Sequence, residues 1–185
     1  MKDISIKAAS PKEVFERAFE SKIFTCEHSK DKVKTHSKNV CKICKDIALQ
    51  LKTGGIEVDK KLLKKAAYLH DIGKANYDED AHPYMSLVYM YNIFDCSGGK
   101  KEEYAWKLGQ IIIAHKGIFC PPVCVAKEAA ILRMADKIDR FGRKDDASKK
   151  YKRNLKKIES HFERCDAAFF ENLKKACDTE KEQYS

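Results

Sequence analysis

Apolar residues recur along this chain at spacings of three and four, and no stretch alternates convincingly, so the pattern predicts helices throughout. Ser10-Pro11-Lys12-Glu13 reads as a helix start, with a Ser cap, Pro at the first helical position and Glu at the third. Val14, Phe15, Ala18 and Phe19 give that helix its apolar face. After a connection over 24–31, a second helix runs from about Lys32 to Leu51, carrying Val33, His36, Val40, Ile43, Ile47 and Leu51 on one stripe. Lys52-Thr53-Gly54-Gly55 ends it. The third helix starts behind Asp59 as N-cap, buries Leu62, Leu63, Ala66, Ala67 and Leu69, and delivers His70 and Asp71 before Gly73 stops it.

The polar stretch 76–81 is a loop, and a fourth helix starts at His82-Pro83 and reaches Phe94. Ser97-Gly98-Gly99-Lys100 breaks the chain again. Glu102 to His115 makes a fifth helix and, after the turn at Cys120-Pro121-Pro122, Val123 to Ile138 makes a sixth. Beyond Gly142 the chain turns strongly basic, from Lys149 to Lys157. One last helix through Phe162, Phe169, Phe170, Leu173 and Ala176 then packs back on the rest. The expected fold is all-α.

Composition narrows this reading. A chain of 185 residues that is 43% apolar and 35% charged is expected to bury one core as a single helix-rich domain. No apolar run approaches the roughly 20 residues that span a bilayer. The N-terminus lacks the apolar block of a signal peptide, which points to the cytoplasm. Eight cysteines in that setting read as reduced, mostly buried thiols. The net charge of +9 fits a lysine-rich solvated surface, or a phosphorylated small molecule as partner. Nucleic acid is the less favoured partner, because aromatic residues are not interleaved with the basic ones.

Four polar residues fall where core residues belong. His36 sits on the apolar stripe of the second helix, His70 and Asp71 end the third, and Asp136 lies on the stripe of the sixth, four after Leu132. One such residue is commonly a hydrogen-bonded core group. Four of them on three helices, two adjacent, point to a shared site, because burying His or Asp without a partner is costly. Two His and two Asp suit iron, manganese or a similar divalent transition metal.

These residues, in this order, resemble the H…HD…D signature of the HD-domain metal-dependent phosphohydrolases, and His70-Asp71-Ile72-Gly73-Lys74 resembles its HDIG variant. The resemblance runs from about Val33 to Arg140 and includes His82 and His115, which resemble further histidines of that superfamily. It implies a compact helical bundle over 32–142 in which His36, His70, Asp71 and Asp136 hold a metal. A helical extension over 1–31 precedes that bundle, and a basic one over 143–185 packs on it. His82 and His115 then hold a second metal or contact a substrate phosphate, so one or two ions per chain remain open.

Phosphoester hydrolysis needs hydroxide at neutral pH and cations to absorb charge, and a bound divalent metal supplies both. Asp71 is the candidate to orient the attacking water, and Lys74, about one turn on, is placed to meet a phosphate. Lys137 and Arg140, the latter four after Asp136, are further substrate contacts. The expected activity is hydrolysis of a phosphomonoester or phosphoanhydride, foremost of a nucleotide, with the stretches 76–81 and 118–123 setting specificity. A homodimer is compatible with this. Two rivals stand beside it. Cys41-x-x-Cys44 and Cys120-x-x-x-Cys124 have spacings that zinc could use, although the first pair falls inside a helix. The fold could also be a non-catalytic metal- or nucleotide-binding module that docks an acidic partner through its basic segment.

Overall fold

Ser10 and Glu13 cap each other: Glu13 N donates to Ser10 Oγ at 3.3 Å, and Ser10 N donates to Glu13 Oε2 at 2.6 Å. This capping box opens α1 (Pro11–Glu20), which buries the expected Val14, Phe15, Ala18 and Phe19. The computed structural model describes residues 10–20, 29–75, 81–93, 99–141 and 143–184. Among them every regular element is helical, as the spacing predicts. No helix is long and apolar enough to cross a membrane. Most of the expected loops over 24–31 and 76–81, and the first half of the break over 97–100, lie outside the described residues.

The long α2 (Lys30–Thr53) begins slightly earlier than its apolar stripe, because Ser29 Oγ accepts from Lys32 N at 3.2 Å and caps it. It packs against α3 (Lys60–Leu69), α6 (Ala126–Ile138) and α8 (Ala167–Glu182). Asp59 caps α3 by accepting from Lys61 N and Leu62 N at 3.0 and 2.9 Å. Glu128 of α6 accepts from Asp59 N at 2.7 Å, which ties the start of α3 to the centre of the molecule. Completing the chain are α4 (His82–Ile93), α5 (Lys100–Ala114) and α7 (Ala147–Phe162), with a 3-10 turn at Val123–Val125 before α6. In α6 every residue except Lys127 is buried. A helix buried on all sides lies at the centre of its fold, so the charges of Arg133, Asp136 and Lys137 must be met inside it.

Three expectations change. The region after Gly142 forms two helices rather than one. Ala147, Tyr151, Asn154, Ile158 and Phe162 already give the lysine-rich stretch a buried face at helical spacing. The chain turns after Phe162, and Asp166 starts α8 by accepting from Phe169 N at 3.0 Å. The Phe162 and Phe169 rings, 4.6 Å apart, close the corner between the two helices. The thiols are also less buried than expected: Cys44 and Cys177 are buried, but Cys120, Cys124 and Cys165 are exposed. No cysteine belongs to a metal-holding group among the described residues.

Gly73 does not end α3. The helix stops at Leu69, and Gly73 lies in a 3-10 turn over Ile72–Ala75. Glycine is required there by close approach rather than by its backbone angle. A Cβ would collide with the His82 carbonyl and come within 2.7 Å of Ser86 N. Ser86 fastens the same contact, since Gly73 N donates to its Oγ and the Oγ donates to the His70 carbonyl, both at 2.8 Å. Gly73 therefore sets the distance between His70-Asp71 and His82. Gly73→Ala is expected to destabilise the fold by about 1 to 3 kcal/mol, as overpacking does. It should also weaken metal retention, because it pushes His82 away from Asp71. A denaturation curve and the metal content of the variant check both.

Candidate metal centre

The elements that carry the site meet at one point. The helix α2 brings His36, the end of α3 brings His70 and Asp71, the start of α4 brings His82, the end of α5 brings His115, and α6 brings Asp136. All six residues expected from the sequence therefore lie together. Two groups have ligand atoms within 4.8 Å of one another: His36, His70 and Asp71, and Asp71, His82 and His115. Asp71 belongs to both. Its Oδ2 lies 3.3 Å from His36 Nε2 and 3.5 Å from His70 Nε2, while its Oδ1 lies 2.9 Å from His82 Nε2 and 3.6 Å from His115 Nε2. Asp136 joins through His36, whose Nε2 is 3.2 Å from Asp136 Oδ1.

The far side of each ring decides what the near side offers. His70 Nδ1 donates to the Ala67 carbonyl at 2.8 Å, and His115 Nδ1 donates to the Ile112 carbonyl. His36 Nδ1 faces Asp139 Oδ2 at 2.6 Å and is assigned as donor to it. With Nδ1 carrying the proton, each Nε2 presents a lone pair to the centre. The lone pairs of His70 and His115 then point toward the oxygens of Asp71, and His36 Nε2 lies 3.3 Å from His70 Nε2. Acceptors that face one another in a buried site repel unless a cation lies among them, so the donor set fits one or two divalent metals. His82 is looser, because its Nδ1 is buried without a hydrogen-bond partner.

The electrostatics agree. Burial pushes His70 down to about 3 against the pull of Asp71, and it lowers His115 as well, so both rings are neutral at physiological pH. Burial would raise the Asp71 carboxyl, but His70, Lys74, His115 and His36 outweigh it and hold the group well below the usual carboxylate range. For Asp136 burial is likewise outweighed, first by Lys137 and Arg140 and then by His36. His36 is the exception: Asp136, Asp139 and Asp71 overcome burial and raise it, so without a cation this ring holds a second proton at Nε2, which a bound metal would displace.

The expected phosphate contacts surround this core. Lys74 is 8% exposed and its ammonium touches Asp71 Oδ2. Lys137 is 9% exposed, so it is a buried cation rather than a surface one, and it touches Asp136 Oδ2. Arg140 reaches Asp136 Oδ1 at 3.3 Å. The centre opens into a cavity of about 230 Å³ beside His36 and Asp71, and into another of about 310 Å³ beside His82 and His115, with Lys74 and Arg140 lining both.

Sequence reasoning missed three contributors. Asp139 orients His36, and its signal was its place three residues after Asp136 on the same face. Ser86 bridges the HD pair to α4, and nothing in its sequence context marks it. Arg133 is fully inside, with Nη1 donating to the Ala114 carbonyl at 2.9 Å and Nη2 to the Gly117 carbonyl at 2.7 Å, so it clamps the segment around His115. Asp139→Asn is expected to leave the fold intact and lower metal affinity about 10- to 100-fold, as loss of a carboxylate behind a ligating histidine does. A metal titration followed by calorimetry checks this, and unchanged affinity would remove Asp139 from the site.

No curated protein and no solved structure matches the chain. A family model described as HD domain matches residues 33–141, which begins just before His36 and ends just after Asp139 and Arg140. The convergence of His36, His70-Asp71 and Asp136 is the arrangement that the resemblance implies, HD domains bind divalent metals, and this chain belongs to the HD-domain family of metal-dependent hydrolases.

Proposed function

We propose that the chain is a phosphohydrolase that cleaves a phosphomonoester or phosphoanhydride, foremost of a nucleotide, with iron or manganese in the centre. The observation that carries this reading is the position of Asp71, whose two oxygens each face a different histidine pair. Two ions would find ligands there, one in His36, His70, Asp71 and Asp136 and one in Asp71, His82 and His115. The ions supply Lewis acidity, which makes water acidic enough to give a nucleophile at neutral pH and draws charge from phosphoryl oxygens.

The remaining work falls to side chains of this chain. Asp71, ionised at all physiological pH values, orients the attacking water by accepting its hydrogen bond, and the proton the water loses passes to Oδ1 or Oδ2. Lys74 and Lys137 rest against Asp71 and Asp136. Each ammonium can turn from its carboxylate to a phosphate oxygen as negative charge builds there. Arg140 adds a planar donor fork suited to phosphate. The burial of the centre keeps bulk water out and strengthens each of these contacts. The natural partner is then a phosphorylated small molecule met in the cytoplasm, rather than a nucleic acid.

Elemental analysis of the purified chain tests this first. Two metals per chain, falling to one in His82→Ala/His115→Ala, is the expected result. One metal, unchanged by those substitutions, would make the two histidines phosphate contacts. No metal after reloading would sink the hydrolase reading in favour of a binding module. Asp71→Ala is expected to abolish both metal retention and hydrolysis, whereas Lys74→Ala should lower turnover about 100-fold with metal content intact. Loss of metal in the Lys74 variant would instead make that lysine structural.

A further inference from the structure

The cavity beside His82 and His115 has two walls, and the site just described accounts for only one. The other wall is α7, whose Lys150, Arg153 and Lys157 line the same space. Their spacing of three and four places them on one helix face. Asn154 on that face is buried and joins the walls, since its Oδ1 accepts from Arg133 Nε at 2.7 Å and its Nδ2 donates to the Lys150 carbonyl at 2.7 Å. Lys157 Nζ donates to the Gly117 carbonyl at 3.0 Å, the same carbonyl that accepts from Arg133 Nη2. Lys157 and Asn154 thus tie this face to the segment that carries His115, while Arg153 is exposed.

Its charge is poorly balanced. Asp136 is the carboxylate that lines this cavity, and His36, Lys137 and Arg140 already engage it. Lys150 pairs with Asp146 at 2.6 Å, but among the described residues no carboxylate pairs with Arg153 or Lys157. Burial lowers the Lys157 ammonium, with Arg133 and Arg153 adding to the effect. Burial also takes Arg133 down to about 10, with Asp136 opposing and Arg153 adding. Like charges gathered round a concavity repel one another and are relieved when an anion occupies it.

A single phosphate at Asp71 is already served by Lys74, Lys137 and Arg140. The α7 row lies beyond them and, from Lys150 to Lys157, extends about 10 Å along the helix axis, longer than one phosphate group. We propose that Lys150, Arg153 and Lys157 form a second anion subsite, and that the ligand is a linear chain of two or more phosphates. The reactive phosphate then lies at the histidine–aspartate centre and the distal ones lie along α7. This rests on the phosphohydrolase reading for the reactive end alone, and within that reading it selects phosphoanhydrides over monoesters. The three α7 residues lie outside the span that matches the HD domain.

Titration calorimetry on the full chain, with its metals as purified, compares inorganic tripolyphosphate with orthophosphate. Tripolyphosphate should bind at least tenfold more tightly, and Arg153→Ala/Lys157→Ala should remove most of that preference at unchanged metal content. Arg153→Ala alone, at an exposed position, should reduce it in part, and Arg153→Lys should restore it. A nucleoside triphosphate binding no tighter than tripolyphosphate assigns recognition to the phosphate chain, while tighter binding assigns a share to the nucleoside; both leave the α7 subsite in place. Equal binding of tripolyphosphate and orthophosphate, or a preference untouched by the double substitution, would overturn the subsite. So would an oligonucleotide that binds more tightly than tripolyphosphate. Hydrolysis of a monoester by a chain without the preference defeats the subsite and leaves the hydrolase. A preference lost in the variant of a chain that hydrolyses no phosphate bond does the reverse.

Discussion

The repulsion among acceptors round Asp71 is the constraint on which the rest of the structure depends. Imidazole lone pairs and carboxylate oxygens at 3 to 4 Å, with little water to screen them, are unfavourable by themselves. The fold holds them there from behind. Backbone carbonyls of Ala67 and Ile112 fix two rings, the Asp139 carboxylate fixes a third, and the Ser86 hydroxyl fixes the backbone between His70 and Gly73. Each of these supports comes from a different helix or helix end, so the centre cannot relax by shifting one element. A cation converts the same geometry from repulsion to attraction, which makes metal binding and stability one equilibrium.

The same constraint explains why α6 is so unusual a helix. It is enclosed on nearly every side and still carries Arg133, Asp136 and Lys137. Asp136 faces the centre, and the two cations flank it along neighbouring directions. Arg133 spends its donors on Asn154 and on two carbonyls, so its charge remains in the cavity while its hydrogen bonds are satisfied. Burying such groups is tolerable only because each one either meets a carboxylate or braces the loop after α5.

Much of this was legible in the sequence for definite reasons. His36 and Asp136 stand out because they interrupt apolar stripes, and the HD pair because it follows a buried run. The capping box at Ser10 and the cap at Asp59 are local patterns, and both form as written. The parts that were not legible depend on contacts distant in sequence. Gly73 looked like a helix stop, because nothing nearby reveals that α4 comes up against it. Asp139 looked like an ordinary helix charge until its burial was known, and the depth of Lys137, expected as a substrate contact, was equally invisible. The lysine-rich stretch looked like a solvated face because its four-residue apolar period is diluted by charge, yet Ala147, Tyr151, Ile158 and Phe162 fix it as α7.

The position of α7 also bears on the ligand proposed for the cavity beside His82 and His115. The matched span ends at residue 141, so it contains all the candidate metal ligands and the cations nearest to them. Around that core the cations already outnumber the carboxylates, and divalent ions widen the excess. A monoanionic ligand would leave most of that charge unbalanced. Adding a further basic helix face to such a site makes sense only for a ligand that brings several negative charges at once, arranged along a line rather than at a point. The helix that the hydrophobic pattern left least visible is thus the one on which the proposed length of the ligand rests.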